Sequence, residues 1–167
     1  MSRPKAAPAK QPRDPAAVQS RVGQTASRET ELGPLSGYIG YVLRRAQVQA
    51  TAGFLEAMRE VDLRPTQFSV LILIHWNPGI RQTEVCEALG LQKANFVPLL
   101  NELERRGLAV RKPGVPDRRA SALHLTDAGE GLLKRANELH KSWEAHFLGE
   151  LDPREREQLL ALLGKLR

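Results

Sequence analysis

The chain has 167 residues, 41% apolar and 26% charged, with a net charge of +6. That is enough for one domain with a real core and too apolar for a wholly disordered chain. No run approaches the ~20 apolar residues of a membrane helix. The single cysteine, Cys86, excludes an intramolecular disulfide framework and a cysteine-based zinc site, and fits a reducing cytoplasm.

Residues 1–34 are rich in Pro, Ala, Lys, Arg and Gln, a composition that predicts a disordered basic tail. Its first basic residues are followed by no apolar stretch, so a secretory signal is not expected. The folded domain is expected over 35–167. From Ser36, Ile39, Val42, Leu43, Ala46, Ala50, Phe54, Met58 and Val61 recur at helical steps and predict one helix of about 25 residues. Asp62–Pro65 breaks it. TQFSVLILIHW, opening at Thr66, is the second helix, and Asn77-Pro78-Gly79 ends it.

RQTEVCEALG (81–90) predicts a short helix stopped at Gly90. LQKANFVPLLNELERRG (91–107) predicts the next, with Leu91, Phe96, Leu99, Leu100 and Leu103 as its apolar stripe and Gly107 as its stop. The link at Gly90–Leu91 is too short to let the two separate, so they form a helix-turn-helix. Residues 108–112 and 119–125 read as strands around the turn PGVPDR. Thr126 caps a long helix reaching Leu151, with Asp127 in its first turn. Asp152, Pro153 and Glu155 make a capping box for a last helix carrying Leu159, Leu160, Leu162, Leu163 and Leu166. The fold class is mainly α with a small β-hairpin wing, a winged helix-turn-helix lobe flanked by helices from both ends of the chain.

The basic excess is local. Residues 92–126 hold seven basic side chains (Lys93, Arg105, Arg106, Arg111, Lys112, Arg118, Arg119) against three acidic ones (Glu102, Glu104, Asp117). A nucleic-acid footprint and a solubilising surface both account for that charge. The hairpin tip separates them, because arginines at an exposed turn serve no core. Arg119 suits a narrow minor groove, Asp117 would hold its guanidinium, and Arg118 would meet phosphate. Gln92, Lys93, Ala94, Asn95, Pro98 and Asn101 are expected to face the major groove, with Asn95 and Asn101 as candidates for adenine edges and Lys93 for guanine or phosphate. Arg111 and Lys112 complete the expected DNA-binding set. A solvated helix residue is the other reading of Asn101.

Asp117-Arg118-Arg119 followed by Leu125-Thr126, ELERRGL (102–108) and LTDAG (125–129) resemble the MarR (multiple antibiotic resistance regulator) family of winged helix-turn-helix transcription factors. The resemblance spans 35–167. Two features depart from it. Gln92 stands where the family often has Ser or Thr, and Pro98 falls inside the recognition helix. The resemblance implies a homodimer pairing through 35–62 and 127–167, with 65–126 as the DNA-binding lobe. The apolar faces of 36–61 and 159–166 call for a partner independently, because they exceed what one small lobe buries. The function implied is a regulator, by family default a repressor, on a pseudo-palindromic operator with half-sites ~34–36 Å apart.

The resemblance also implies an anionic aromatic effector that weakens DNA binding, as is common in the family. GYIGYVLRRAQ (37–47) is similar to the branch that responds to phenolic thioesters. The first two helices cluster Tyr38, Tyr41, Arg44, Arg45, Phe68, His75 and Trp76 in a chain only 5% aromatic, and these are the expected ligand set, for an aromatic acid or its CoA thioester, with Arg44 and Arg45 on the acid or the CoA phosphates. Core aromatics and a solvated arginine face are the competing reading. Cys86 is either a redox sensor, as in some relatives, or a buried inert thiol. His140 and His146 are six apart on different helix faces, so no metal is expected. No cofactor and no catalysis are expected either, since no phosphate loop, serine elbow or acid/base pair is present. A non-specific architectural DNA-binding protein and a protein-binding adaptor are the alternatives.

Overall fold

The computed structural model describes residues 30–113 and 121–166. The hairpin tip with Asp117, Arg118 and Arg119, and the tail up to residue 29, lie outside the described residues. The chain divides into Met1–Ser36 and Gly37–Arg167, and the second unit carries the elements that follow.

Its order is α1 (Ile39–Ala57), α2 (Pro65–Trp76), β1 (Ile80–Arg81), α3 (Gln82–Leu89), α4 (Lys93–Arg105), β2 (Ala109–Pro113), β3 (Ser121–Leu125), α5 (Asp127–Phe147) and α6 (Pro153–Gly164). The long first helix of the sequence reading is corrected. α1 has 19 residues, and separate 3-10 turns occupy Gly33–Gly37 and Arg59–Val61. Met58 and Leu63 are buried, and Asp62 adopts a left-handed φ of 48° between them. The chain leaves the helix to turn both side chains inward.

A strand was also missed. β1 is two residues long and pairs antiparallel with β3, Ile80 opposite Leu123 and Arg81 opposite Ala122. β2 pairs on the other side, from Ala109 opposite Leu125 to Pro113 opposite Ser121, giving the order β1-β3-β2. β2 therefore starts one residue later than predicted. α5 stops at Phe147, short of Leu151. The Arg156 guanidinium donates to the carbonyls of Leu148 and Leu151 and fixes that corner. Asp152 then accepts from the amides of Arg154 and Glu155, and Glu155 accepts from that of Asp152, the predicted capping box.

α2 is the central helix, burying Phe68, Val70, Leu71 and Ile74. Around it lie Phe54 of α1 and Met58 just beyond it, Val85 of α3, Phe96, Leu100 and Leu103 of α4, Leu123 of β3, and Leu133 and Ala136 of α5. Burying each large aliphatic side chain is worth about 1.5–3 kcal/mol. α5 is tied to this core at its start. Thr126 Oγ1 accepts from the Gly129 amide at 3.0 Å, and the Thr126 amide donates to the Leu108 carbonyl at 3.1 Å. A Cβ at Gly129 would lie 2.0 Å from that same carbonyl oxygen, so the glycine of LTDAG is a packing requirement.

α6 differs from the other α-helices, because it buries no residue at all, and α1 buries only Phe54. Ile39, Val42, Leu43, Val48 and Leu55 of α1, and Leu159, Leu160, Leu162 and Leu163 of α6, are exposed, Ile39 and Leu160 each at 72%.

Candidate nucleic-acid interface and effector cleft

α3 and α4 meet through a short link. Gly90 closes α3 with a φ of 61°, and the Leu91 amide returns to the Cys86 carbonyl at 2.8 Å. Such left-handed closure strongly favours glycine. At the other end of α3, Glu84 accepts from both the amide and the guanidinium of Arg81, each at 2.8 Å. The guanidinium beside it holds the Glu84 carboxyl below the usual carboxylate range. α4 turns Phe96, Leu100 and Leu103 into the core. Its opposite face therefore projects outward, and Gln92, Lys93, Ala94, Asn95, Pro98 and Asn101 are all exposed. α4 continues through Pro98 to Arg105, and Gln92 makes no side-chain cap.

The basic residues of this region are not equally available. Arg106 donates to the carbonyls of Asp62 and Val61, at 2.6 and 2.9 Å. Arg105 forms a two-point pair with Glu102 and keeps that carboxyl low in pKa. Arg111 of β2 pairs with the Glu104 carboxylate, both side chains only about a quarter exposed, and its amide donates to Glu104 Oε1 at 3.1 Å. Its second nitrogen, Nη2, donates to Asn101 Oδ1 at 3.0 Å. Lys93 and Lys112 are exposed and have no ion-pair partner among the described residues. A charge count over the sequence could not separate these tied arginines from free cations.

The expected ligand residues do not form one cluster. Only Phe68 lines the apolar cleft, of about 400 Å³, between α1, α2 and α5. Its other walls are Ala50, Thr51 and Phe54 of α1, Pro65, Ser69 and Ile72 of α2, and His140 and Trp143 of α5. His75, near the far end of α2, is bonded to Glu130 at 2.7 Å and borders a different hollow with Lys134 and Asn137. Tyr38, Tyr41, Arg44, Arg45 and Trp76 line neither. Tyr38, Arg44, Arg45 and Trp76 are exposed, and Tyr41 is half-buried. Proximity along the chain grouped them, but helical rotation sends them to different faces.

Sequence reasoning missed His140 and Trp143. They stand three apart on α5, a spacing that puts both on one face, and this was the available signal. Phe68 stacks on His140 with centroids 5.1 Å apart, and Trp143 meets Phe54 edge-on at 5.8 Å. Gly53 leaves room for the indole, since a Cβ there would lie 2.6 Å from Trp143 Nε1. No Lys, Arg, Asp or Glu lines the cleft. Cys86 is half-buried against the core. Among the described residues there is no metal-ligating cluster, and no helix is long and apolar enough to cross a membrane.

Two helices locked through a tight turn, followed by an antiparallel strand pair and a long helix, define a winged helix-turn-helix protein. The MarR family profile matches residues 61–120. Transcriptional regulator HosA of Escherichia coli is 34% identical over 105 residues, covering 63% of this chain and 78% of that protein. Among solved structures, the transcriptional repressor CouR bound to a 23-mer DNA duplex is 41% identical, with a TM-score of 0.80, covering 83% of this chain and 99% of that one. CouR bound to p-coumaroyl-CoA is 40% identical, with a TM-score of 0.76, covering 83% and 97%. The chain belongs to the MarR family and is a transcriptional regulator.

Proposed function

We propose that the chain is a dimeric repressor that binds a pseudo-palindromic operator and is released by an aromatic acyl-CoA thioester. The observation that carries the effector class is the cleft of Phe54, Phe68, His140 and Trp143, which is aromatic and without a cation. A free aromatic carboxylate seated there would meet no Lys or Arg, and one hydrogen bond from His140 offsets only part of the several kcal/mol that desolvating the charge costs. A thioester presents no charge at its acyl end. A cleft of this size takes a one-ring acyl group, while the nucleotide stays outside, where the exposed Arg44 and Arg45 are free to meet phosphate. That CouR is solved both on DNA and with p-coumaroyl-CoA supports the assignment.

Pairing rests on the exposed apolar faces of α1 and α6. A leucine-rich helix that buries nothing in its own chain needs a second copy to cover it, so 35–62 and 127–167 are the dimerisation segments and 65–126 the DNA-binding lobe. A two-fold dimer then presents two copies of α4 ~34–36 Å apart. Gln92, Lys93, Ala94, Asn95 and Pro98 enter the major groove. The Asn95 side chain has no intramolecular partner among the described residues and keeps its amide oxygen and nitrogen for an adenine edge. Asn101, with its oxygen engaged by Arg111, offers donors and meets phosphate. Lys112 adds a second phosphate contact, and Asp117, Arg118 and Arg119 keep the wing roles of the family motif. The internal pairing of Arg105, Arg106 and Arg111 weakens the architectural alternative, which needs free charge.

The cleft joins dimer helices (α1, α5) to the central helix of the DNA lobe (α2). A ligand that binds better when those helices are spread shifts the dimer toward a spacing that no longer fits two half-sites. Calorimetry with p-coumaroyl-CoA, p-coumarate and CoA tests the effector class. Heat from the thioester and none from the free acid is expected. Equal binding of the acid, or no heat from the thioester, overturns it.

A further inference from the structure

We propose that His140 reads the ring hydroxyl of the acyl group and sets the preference of the cleft for a phenolic over an unsubstituted ring. This rests on the thioester reading and goes one step beyond it. The walls of the cleft divide into apolar side chains (Ala50, Phe54, Pro65, Phe68, Ile72, Trp143) and three polar ones. Of the polar ones, Ser69 already donates to the Pro65 carbonyl at 3.1 Å. Thr51 is exposed, at the rim. The Trp143 indole N–H is turned onto Gly53, whose Cβ position lies 2.6 Å from Nε1, which leaves His140 as the open polar group and the one titratable side chain among the cleft residues.

Its ring is held from three sides. Phe68 stacks on it at 5.1 Å and 23°, Trp143 meets it at 5.3 Å and 62°, and Phe54 at 6.1 Å and 65°. Three aromatic neighbours fix the plane in which its nitrogens lie. Those nitrogens have no protein hydrogen bond among the described residues. His140 is half-buried, yet among the described residues no fully enclosed side-chain nitrogen or oxygen lacks a partner. Its nitrogens are therefore accessible, on a ring that lines the cleft. His75 shows the contrast, with Nδ1 committed to Glu130 at 2.7 Å.

In water, the open nitrogens of His140 are satisfied by solvent. An acyl group that displaces that solvent must replace the lost hydrogen bond. A phenol does so either way, because a neutral imidazole carries one donor and one acceptor nitrogen and a hydroxyl offers both roles. An unsubstituted phenyl ring leaves the imidazole desolvated and unpaired. Sites that hydrogen-bond a ligand hydroxyl reject the analogue lacking it far more strongly than apolar pockets reject a size change. His140 thus makes the cleft selective for ring chemistry and not merely for shape.

The test compares p-coumaroyl-CoA with cinnamoyl-CoA, which lacks only the ring hydroxyl, by titration calorimetry on the wild type, His140→Phe and His140→Gln. The wild type should prefer the phenol by about 30-fold or more. His140→Phe should bring the two ligands within about 3-fold by weakening the phenol, with cinnamoyl-CoA binding retained, and His140→Gln should restore part of the preference. Full preference in His140→Phe, or equal binding of both thioesters by the wild type, overturns the role of His140 and leaves the thioester reading standing. Binding of neither thioester by the wild type overturns both. Should His140→Phe fail to fold, the wild-type ratio and His140→Gln still decide.

Discussion

Gly129→Ala puts a methyl group where the Cβ would lie 2.0 Å from the Leu108 carbonyl oxygen. A relaxed carbon–oxygen contact is above 3 Å, so α5 must move by more than an ångström relative to the start of β2. The obstacle is backbone and has no rotamer to escape through. Overpacking of this kind costs about 1–3 kcal/mol. The shift also loosens two hydrogen bonds, Thr126 amide to Leu108 and Gly129 amide to Thr126 Oγ1, at about 1 kcal/mol each. Alanine returns about 1 kcal/mol in helix propensity. The net is a destabilisation of roughly 2–4 kcal/mol, or about 5–15 °C in Tm for a chain of this size. Gly131→Ala is the control. It lies on the same helix with open space around its Cβ position, so propensity alone acts and stability should rise by up to about 1 kcal/mol. Thermal unfolding of both variants at one fixed protein concentration makes the comparison. A Gly129→Ala protein as stable as Gly131→Ala would refute the packing reasoning.

Leu160→Asp, at the most exposed leucine of α6, should convert the dimer to monomer by sedimentation equilibrium and lower operator affinity at least tenfold; an unchanged dimer would move the interface elsewhere. Asn101→Ala should weaken binding about 3–10-fold on every operator variant, because its engaged oxygen leaves it reading phosphate; a loss confined to one base position would restore the adenine role. The Arg135 guanidinium, bonded to both oxygens of Glu60 at 2.8 and 2.9 Å, holds that carboxyl below its ordinary value of 4.5. A lowered folded-state pKa means that the contribution of Glu60 to stability is full above about 4.5 and disappears as pH falls through the lower folded value. Glu60→Gln should therefore flatten part of the acid limb of a denaturant-midpoint profile below about pH 4.5, and an unaltered limb would show that the pair contributes nothing.

The parts of the fold legible in the sequence are those set by local chemistry. Gly90 ends α3, Thr126 caps α5, and Asp152 with Glu155 opens α6, each where its side chain or backbone freedom dictates. The exposed face of α4 also followed from its apolar stripe. β1 was not legible, because two residues gain strand character only by pairing with β3 across the whole helix-turn-helix. The end of α1 was not legible either, since burial of Met58 and Leu63 overrode the helical spacing. The cleft escaped for the same kind of reason. Phe68 was identified, but its partners His140 and Trp143 come from a helix distant in sequence, and the neighbours Tyr41 and Trp76 point elsewhere. The Glu102–Arg105 pair is local, three residues apart on α4, but the tied state of Arg106 and Arg111 depends on the Val61 and Asp62 carbonyls and on Glu104, which only the fold brings within reach.

Selection from a random duplex library of roughly 30 base pairs, about three turns, with bound DNA eluted by p-coumaroyl-CoA and then sequenced, tests the regulator reading as a whole. An inverted repeat with half-sites one turn apart, released by the thioester and not by p-coumarate, is the predicted result. No enriched sequence, with binding that collapses as salt rises and ignores the thioester, would mean that the protein contacts only phosphate and would contradict an effector-released repressor.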